Sequence, residues 1–144
     1  MLIGIPRILS PGLMVVLMEM GHGDELVIGD ANFPAYSISR ASGGRVVRAD
    51  GLGVAELLDA ILTLMPLDCA APSPIAGMAG PNGPLTIHGA FRGVLAHHGY
   101  DPNEMELMSK ADFYARAAQS YAVVMSGELT RYANLILKKG VVKP

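Results

Sequence analysis

Apolar residues recur at helical spacing in four segments of this chain. In the first, Ser10 and Pro11 provide an N-cap and a proline at the first helical position, and apolar residues follow at positions 13, 16, 17 and 20. The other three segments are 53–65, 86–99 and 111–120. Gly21 and Gly99 follow the first and third segments, where a left-handed residue commonly ends a helix. The pattern therefore predicts four helices.

Six shorter apolar runs, bounded by glycine, proline or polar residues, are typical of buried strands. They are 25–29, 45–49, 75–79, 104–108, 122–125 and 135–137. Because these runs are interleaved with the helices, we expect a mixed sheet with helices on both faces, which is a three-layer α/β/α sandwich. We expect a single domain over residues 1–144, whose most irregular part is the proline-rich segment 66–84.

Composition narrows the class of protein. Hydrophobic residues make up 51% of the chain, more than a monomer of 144 residues needs, so we expect an oligomer. A net charge of -2 disfavours a nucleic-acid binder. Charged residues interrupt every apolar run before the roughly 18 residues that span a bilayer, so no membrane span is expected. The single cysteine, Cys69, excludes an intrachain disulfide and favours a cytoplasmic setting.

The residues around the first predicted strand are the strongest candidates for chemistry. His22 lies between Gly21 and Gly23 and precedes this strand, and Asp30 follows it. An imidazole and a carboxylate thus stand on either side of one short strand, which we interpret as the layout of a small acid–base site. Ligand sites in α/β sheets gather at carboxyl strand ends, where Asp30 lies, although an aspartate there also often caps the next turn.

The remaining histidines are weaker candidates. Adjacent residues on a helix point about 100° apart, so His97 and His98 are not expected to share a metal ion. We expect them to form a polar helix end, where a positive imidazolium suits the helix dipole. His88 is expected to be structural or on the surface. The sequence lacks the usual motifs of nucleotide binding, serine hydrolysis and zinc proteolysis.

Four blocks of sequence, in order, resemble the family of L-fucose mutarotases and D-ribose pyranases. They are MGHGDE (20–25), DANFPA (30–35), RADGL (48–52) and YANLILKKGV (132–141). The similarity runs from residue 10 to residue 142 and includes FYARA (113–117), whereas the stretch 72–103 matches poorly. The second and third blocks favour the fucose branch of the family.

The resemblance implies an isomerase that interconverts the α and β anomers of a free monosaccharide, L-fucose or a related sugar, without cofactor or metal. It also implies a ring-shaped homo-oligomer, a decamer in this family, with sites between neighbouring subunits. His22 matches the family's proton donor, and Asp30, Tyr132 and Asn134 match its sugar-binding positions. A ribose-type pyranase and a non-catalytic sugar-binding protein of the same fold remain as alternatives.

One position departs from the fucose enzymes. Where they carry a substrate-contacting arginine shortly before the Phe-Tyr pair, this chain has Lys110. Lysine keeps the charge but loses the planar fork that binds two hydroxyls at once. The preferred sugar is therefore left open by the sequence.

The chemistry of mutarotation suits these side chains. A proton must reach the ring oxygen while another leaves the anomeric hydroxyl, which a histidine and a carboxylate can accomplish. Asp30 either accepts hydrogen bonds from sugar hydroxyls or pairs with His22 and fixes its tautomer. Tyr132 and Asn134 alternate along a predicted extended segment, so we expect both side chains on the same face.

Overall fold

The protein is built on one six-stranded sheet. A computed structural model of the chain describes residues 2–144. The strands are β1 (Glu25–Gly29), β2 (Val46–Ala49), β3 (Ile75–Met78), β4 (Met105–Met108), β5 (Ala122–Ser126) and β6 (Leu135–Lys138), in the spatial order β2-β5-β1-β6-β3-β4. Strand β5 pairs in parallel with β1 and β2, and β3 pairs in parallel with β4. Only β6 runs antiparallel to its neighbours, β1 and β3, so the sheet is mixed as predicted.

Helices cover both faces of the sheet. They are α1 (Pro11–Glu19), α2 (Ala35–Ile38), α3 (Val54–Leu62), α4 (Thr86–His97) and α5 (Lys110–Ala117). Leu26 and Ile28 of β1 pack with α1, α3 and α4, whereas Val27 packs with α2 and α5, because successive strand residues point to opposite faces. This arrangement confirms the three-layer α/β/α sandwich. Over residues 2–144, the helices are all too short or too polar to cross a membrane.

The predicted elements are confirmed with small differences at their ends. Helix α3 ends at Leu62 rather than at residue 65, and α5 spans Lys110–Ala117 rather than 111–120. The short helix α2 was not predicted, because four residues are too few to show helical periodicity. The hydroxyl of Ser10 caps α1 by accepting the N–H of Leu13 at 3.2 Å, as its position predicts.

The prediction of a left-handed residue at Gly21 is wrong. Helix α1 ends at Glu19, and the next residue, Met20, is already extended. The carboxylate of Asp24 accepts the N–H of Gly21 at 2.7 Å and closes the following turn. The left-handed conformation falls instead at Gly23, where φ is 85°.

His88 is a structural residue of the core. It is 2% exposed, and its Nδ1 accepts the N–H of Leu85 at 2.9 Å. The proton therefore lies on Nε2, which donates to the carbonyl of Met78 at 3.1 Å. Burial lowers the pKa of His88, and the bond to Met78 only partly opposes that shift. The neutral imidazole ties the start of α4 to the end of β3.

Strand direction places the two ends of β1 at opposite edges of the sheet. The carboxyl ends of β1 and β3 meet the start of antiparallel β6 at one edge, where β4, parallel to β3, also ends. The amino ends of β1 and β3 meet the end of β6 at the other edge. The five residues of β1 span roughly 16 Å at about 3.3 Å per residue. Side chains before and after β1 therefore face different regions of the molecule.

Candidate active site

A cavity of about 350 Å³ opens at the carboxyl edge of the sheet, a volume within the range of small-molecule sites. All four predicted substrate-binding residues, Asp30, Lys110, Tyr132 and Asn134, line it. The lining also includes Asn32, Phe33, Met78, Tyr114 and Arg131. We call this cavity the Asp30 pocket. Residues more than 100 positions apart in the chain meet there because β1 and β6 are paired neighbours.

Asp30 organises the frame of the pocket. One carboxylate oxygen accepts the N–H of Asn32 at 2.8 Å, which caps the turn after β1. The other oxygen accepts the N–H of Tyr132 at 3.0 Å and the side-chain amide of Asn134 at 3.2 Å. Asn134 in turn accepts the N–H of Asp30 at 2.7 Å. A carboxylate offers about four acceptor sites, so these three bonds leave about one for a ligand.

Tyr132 adopts a conformation that its sequence position did not predict. Its φ is 66°, in the left-handed region that non-glycine residues seldom occupy. The segment from 132 to 134 is therefore a turn rather than an extended run, and the alternation expected for Tyr132 and Asn134 is wrong. Both side chains line the pocket nonetheless, because the carboxylate of Asp30 holds both residues.

Lys110 stands at the rim of the pocket. It is the first residue of α5, and Ser109 caps that helix by accepting the N–H of Asp112 at 3.1 Å. The ammonium of Lys110 lies 5.4 Å from the ring centroid of Tyr114, one helical turn further on. The Tyr114 ring packs edge-on against Phe33, with 5.6 Å between centroids.

Sequence reasoning missed two of the rim residues. Tyr114 lies within the quoted 113–117 block, so helical spacing from Lys110 was a usable signal. Arg131 is exposed and directly precedes Tyr132, but a single basic residue in a loop carries no signal of its own. Lys110 and Arg131, both exposed, add two positive charges to the pocket that the carboxylate of Asp30 also lines.

His22 lies at the opposite edge of the sheet, in a cleft of about 940 Å³. We call it the His22 cleft; it is lined by His22, 62–64, 66–71, Tyr100 and 141–143. The Nε2 atom of His22 is 2.9 Å from a carboxylate oxygen of Asp68. The side chain of Asp68 is 12% exposed and that of His22 is 59% exposed. Asp68 was not predicted, since it lies 46 residues away in the proline-rich segment.

The acid–base layout expected around β1 is wrong within a single chain. His22 and Asp30 flank the strand in sequence, but its length separates them by far more than the roughly 3 Å reach of a hydrogen bond. Asp30 was expected either to accept hydrogen bonds from sugar hydroxyls or to pair with His22. Pairing with His22 is excluded within one chain, because the hydrogen-bond partner of His22 is Asp68. The nine lining residues of the Asp30 pocket, all in the described part of the chain, include no histidine.

The expectation that His97 and His98 point apart is also wrong. Their ring centroids are 5.3 Å apart. His98 lies just past the end of α4, with φ and ψ of -87° and 9°, so helical spacing no longer sets the direction of its side chain. Its Nε2 is 2.8 Å from a carboxylate oxygen of Asp59 on α3.

Known proteins share this sequence and architecture. The model of the RbsD / FucU transport protein family matches residues 3–142. A bovine (Bos taurus) protein named fucose mutarotase is 45% identical, over 98% of this chain and 94% of its own length. The fucose mutarotase of Streptococcus pneumoniae, solved with L-fucose, superposes with a TM-score of 0.91 at 44% identity and covers 99% of this chain and 100% of its own. Bacillus subtilis RbsD, solved with D-ribose, has the same fold at 21% identity, with a TM-score of 0.73 over 94% of this chain and 95% of its own. The chain therefore belongs to the RbsD/FucU family.

Proposed function

We propose that this protein is a mutarotase that interconverts the α and β anomers of free L-fucose without a cofactor. Fucose mutarotases that are 42–45% identical over nearly the full chain support the activity and the sugar. The observation that carries the proposal is the Asp30 pocket, which gathers all four residues expected to bind a sugar. A D-ribose pyranase and a binding protein without turnover are the alternatives that the experiment below separates.

The Asp30 pocket offers the groups that a monosaccharide needs. Lys110 presents ammonium donors, Tyr132 presents a phenol, and the remaining acceptor site of Asp30 takes one hydroxyl. Phe33 and Met78 supply an apolar wall for carbon-bound hydrogens of the sugar. Because Asp30 and Asn134 are fixed by their mutual hydrogen bonds, little ordering is required when the sugar binds.

We further propose that His22 of one copy completes the Asp30 pocket of a neighbouring copy. Each chain carries both halves of a site, but β1 keeps them too far apart to act on one sugar. Exposed apolar side chains lie beside each half. Val142, which lines the His22 cleft, is 73% exposed, Met18, four residues before His22 in the chain, is 81% exposed, and Leu129 is 80% exposed in the loop before Tyr132. Burial of such side chains between copies would stabilise the assembly.

The pairing of His22 with Asp68 suits proton transfer. In the protonated imidazolium, Nε2–H donates to the Asp68 carboxylate, which leaves Nδ1–H to face the sugar. The imidazolium gives its Nδ1 proton to the ring oxygen as the bond between C1 and the ring oxygen breaks, and the anomeric hydroxyl gives its proton to a base, for which Asp30 is the carboxylate in the pocket. The open-chain aldehyde then recloses on either face. Ring closure reverses both proton transfers.

The proposal extends to the oligomeric state and the cellular location of the protein. We expect a closed ring of copies, since each copy gives one half of a site and receives the other, and the family resemblance implies that such rings stack into a decamer. A cytoplasmic location is supported by the free thiol of Cys69, which a reducing compartment preserves.

Exchange NMR on equilibrated sugars tests the proposed function. The rate of anomer exchange is measured for L-fucose, D-ribose and D-galactose, with the protein and with the His22→Ala variant. We expect faster exchange for L-fucose, lost in the variant while the sugar still binds. His97→Gln, which removes an exposed histidine outside both halves of the site, is the matched control and keeps the wild-type rate.

Each alternative predicts a different result in this experiment. Acceleration confined to D-ribose indicates a pyranase. Sugar binding without acceleration of any exchange rate indicates a binding protein. Either outcome overturns the proposal.

A further inference from the structure

Three side chains that coordinate metals in other proteins meet on the outer surface of α3 and α4. Asp59 projects from α3, and His97 and His98 lie at the end of α4. One ligand atom from each residue lies within 4.8 Å of the other two. The cluster is separate from the Asp30 pocket and does not line the His22 cleft.

The spacing of these atoms is close to that of a metal site. Around a tetrahedral Zn²⁺, bonds of about 2.0–2.2 Å place two ligand atoms about 3.4 Å apart. The pair formed by His98 and Asp59, now at 2.8 Å, needs to open by only about 0.6 Å to admit an ion, given that ligand separation. His97 approaches the same point through a modest rotation, because its ligand atom is already within 4.8 Å of both.

The position at a helix end favours a cation. The last carbonyl groups of α4 and its dipole give this end a partial negative charge. His98 has left the helical conformation, which turns two adjacent imidazoles toward one point. A surface ion pair between His98 and Asp59 needs only those two residues, so it leaves the convergence of His97 unexplained.

We propose that Asp59, His97 and His98 bind one first-row divalent transition-metal ion, such as Zn²⁺. Two imidazoles and a carboxylate suit this class of ion, and water completes the coordination. The ion links α3 to the end of α4. The last residue of α3 and the two that follow it line the His22 cleft, as does Tyr100, three residues after α4, whose hydroxyl accepts the N–H of Leu67 at 3.1 Å.

Zinc titration of the intact oligomer by calorimetry tests this proposal. The titration uses the Cys69→Ser background, which removes the only thiol in the chain. The thiol is already a poor competitor, since partial desolvation and a hydrogen bond to Glu104 raise the pKa of Cys69. We expect one Zn²⁺ per chain and a thermal midpoint that rises with zinc concentration.

Single replacements then assign the ligands. His97→Gln, His98→Gln and Asp59→Asn each weaken zinc affinity at least about tenfold, because even loss of a residue behind the ligands costs 10–100-fold. His22→Ala is the matched control, since it removes the other histidine that pairs with an aspartate and leaves zinc affinity unchanged. Equal unfolding of all variants without metal shows that their folds are intact. Absence of zinc binding, or its loss in His22→Ala alone, overturns the proposal.

Discussion

Mixing two inactive variants tests whether each site is shared between copies. One variant is His22→Ala, which damages only the His22 half. The other is Lys110→Met with Tyr132→Phe, which damages only the Asp30 half. These replacements preserve side-chain volume, and the hydrogen bonds of the frame run through the backbone of Tyr132 rather than its hydroxyl. Each variant alone should therefore assemble normally and show little anomer exchange.

The expected recovery follows from the separation of the halves along β1. If every site takes its Asp30 half from one copy and His22 from a neighbour, random 1:1 mixing gives each half an even chance of being intact. About one site in four then has both halves intact, so exchange should recover to roughly 25% of the wild-type rate. A site contained within one chain predicts no recovery, because every chain in the mixture is damaged.

The assay is L-fucose exchange by NMR on oligomers that are unfolded together and refolded, with native mass spectrometry to show that subunits have mixed. Mixing His22→Ala with His22→Gln is the control, since both damage the same half and no recovery is expected. Mixed oligomers of the two different variants that stay inactive would refute the shared site.

Three further predictions concern stability at a fixed protein concentration. Asn134→Ala leaves the buried N–H of Asp30 without its partner, and urea unfolding should show a loss of about 2–3 kcal/mol; no loss would contradict the role of this frame. Tyr132→Gly should be more stable than Tyr132→Ala by about 1 kcal/mol, because only glycine adopts a φ of 66° without strain; the reverse order in urea would argue against strain. Burial lowers the pKa of His88, so the unfolded chain takes up that proton first as pH falls. Wild-type stability should thus decline below about pH 6.5, near the reference pKa of histidine, and His88→Gln should lack that part of the decline when urea midpoints are compared at two pH values.

The layers of the fold could be predicted because each element shows its own periodicity. Helix α3 repeats apolar residues at helical spacing, and β1 is a short buried run. The pattern of apolar residues does not show which strands pair with each other. Nothing local to β1 or β6 shows that they are antiparallel neighbours, and that pairing brings Asp30 and Asn134 together.

The candidate site could likewise be predicted only in part, because its residues meet through long-range contacts. Asp30 was a candidate from its place after the first predicted strand and Asn134 through the family resemblance alone, but their mutual hydrogen bonds and the left-handed turn at Tyr132 depend on contacts more than 100 residues apart. Asp68 could not be found at all, since an aspartate in a proline-rich loop is ordinary without its partner His22. The error at His97 and His98 has a local cause, because a helical angle was applied across a helix end.

The residues that line the Asp30 pocket are of two kinds: some hydrogen-bond the backbone and hold its conformation, and others do not. Asp30 and Asn134 are buried and hold the turn at Tyr132, so a change there disturbs the fold along with the ligand. Lys110 and Arg131 are exposed and line the same cavity from its rim. Under the proposed function, we expect their replacement to alter the hydroxyl pattern that the pocket accepts at little cost in folding free energy. Under the proposed function, sugar preference can therefore change at the rim while the buried frame stays constant, and Lys110, which stands where the family resemblance places an arginine, is such a position.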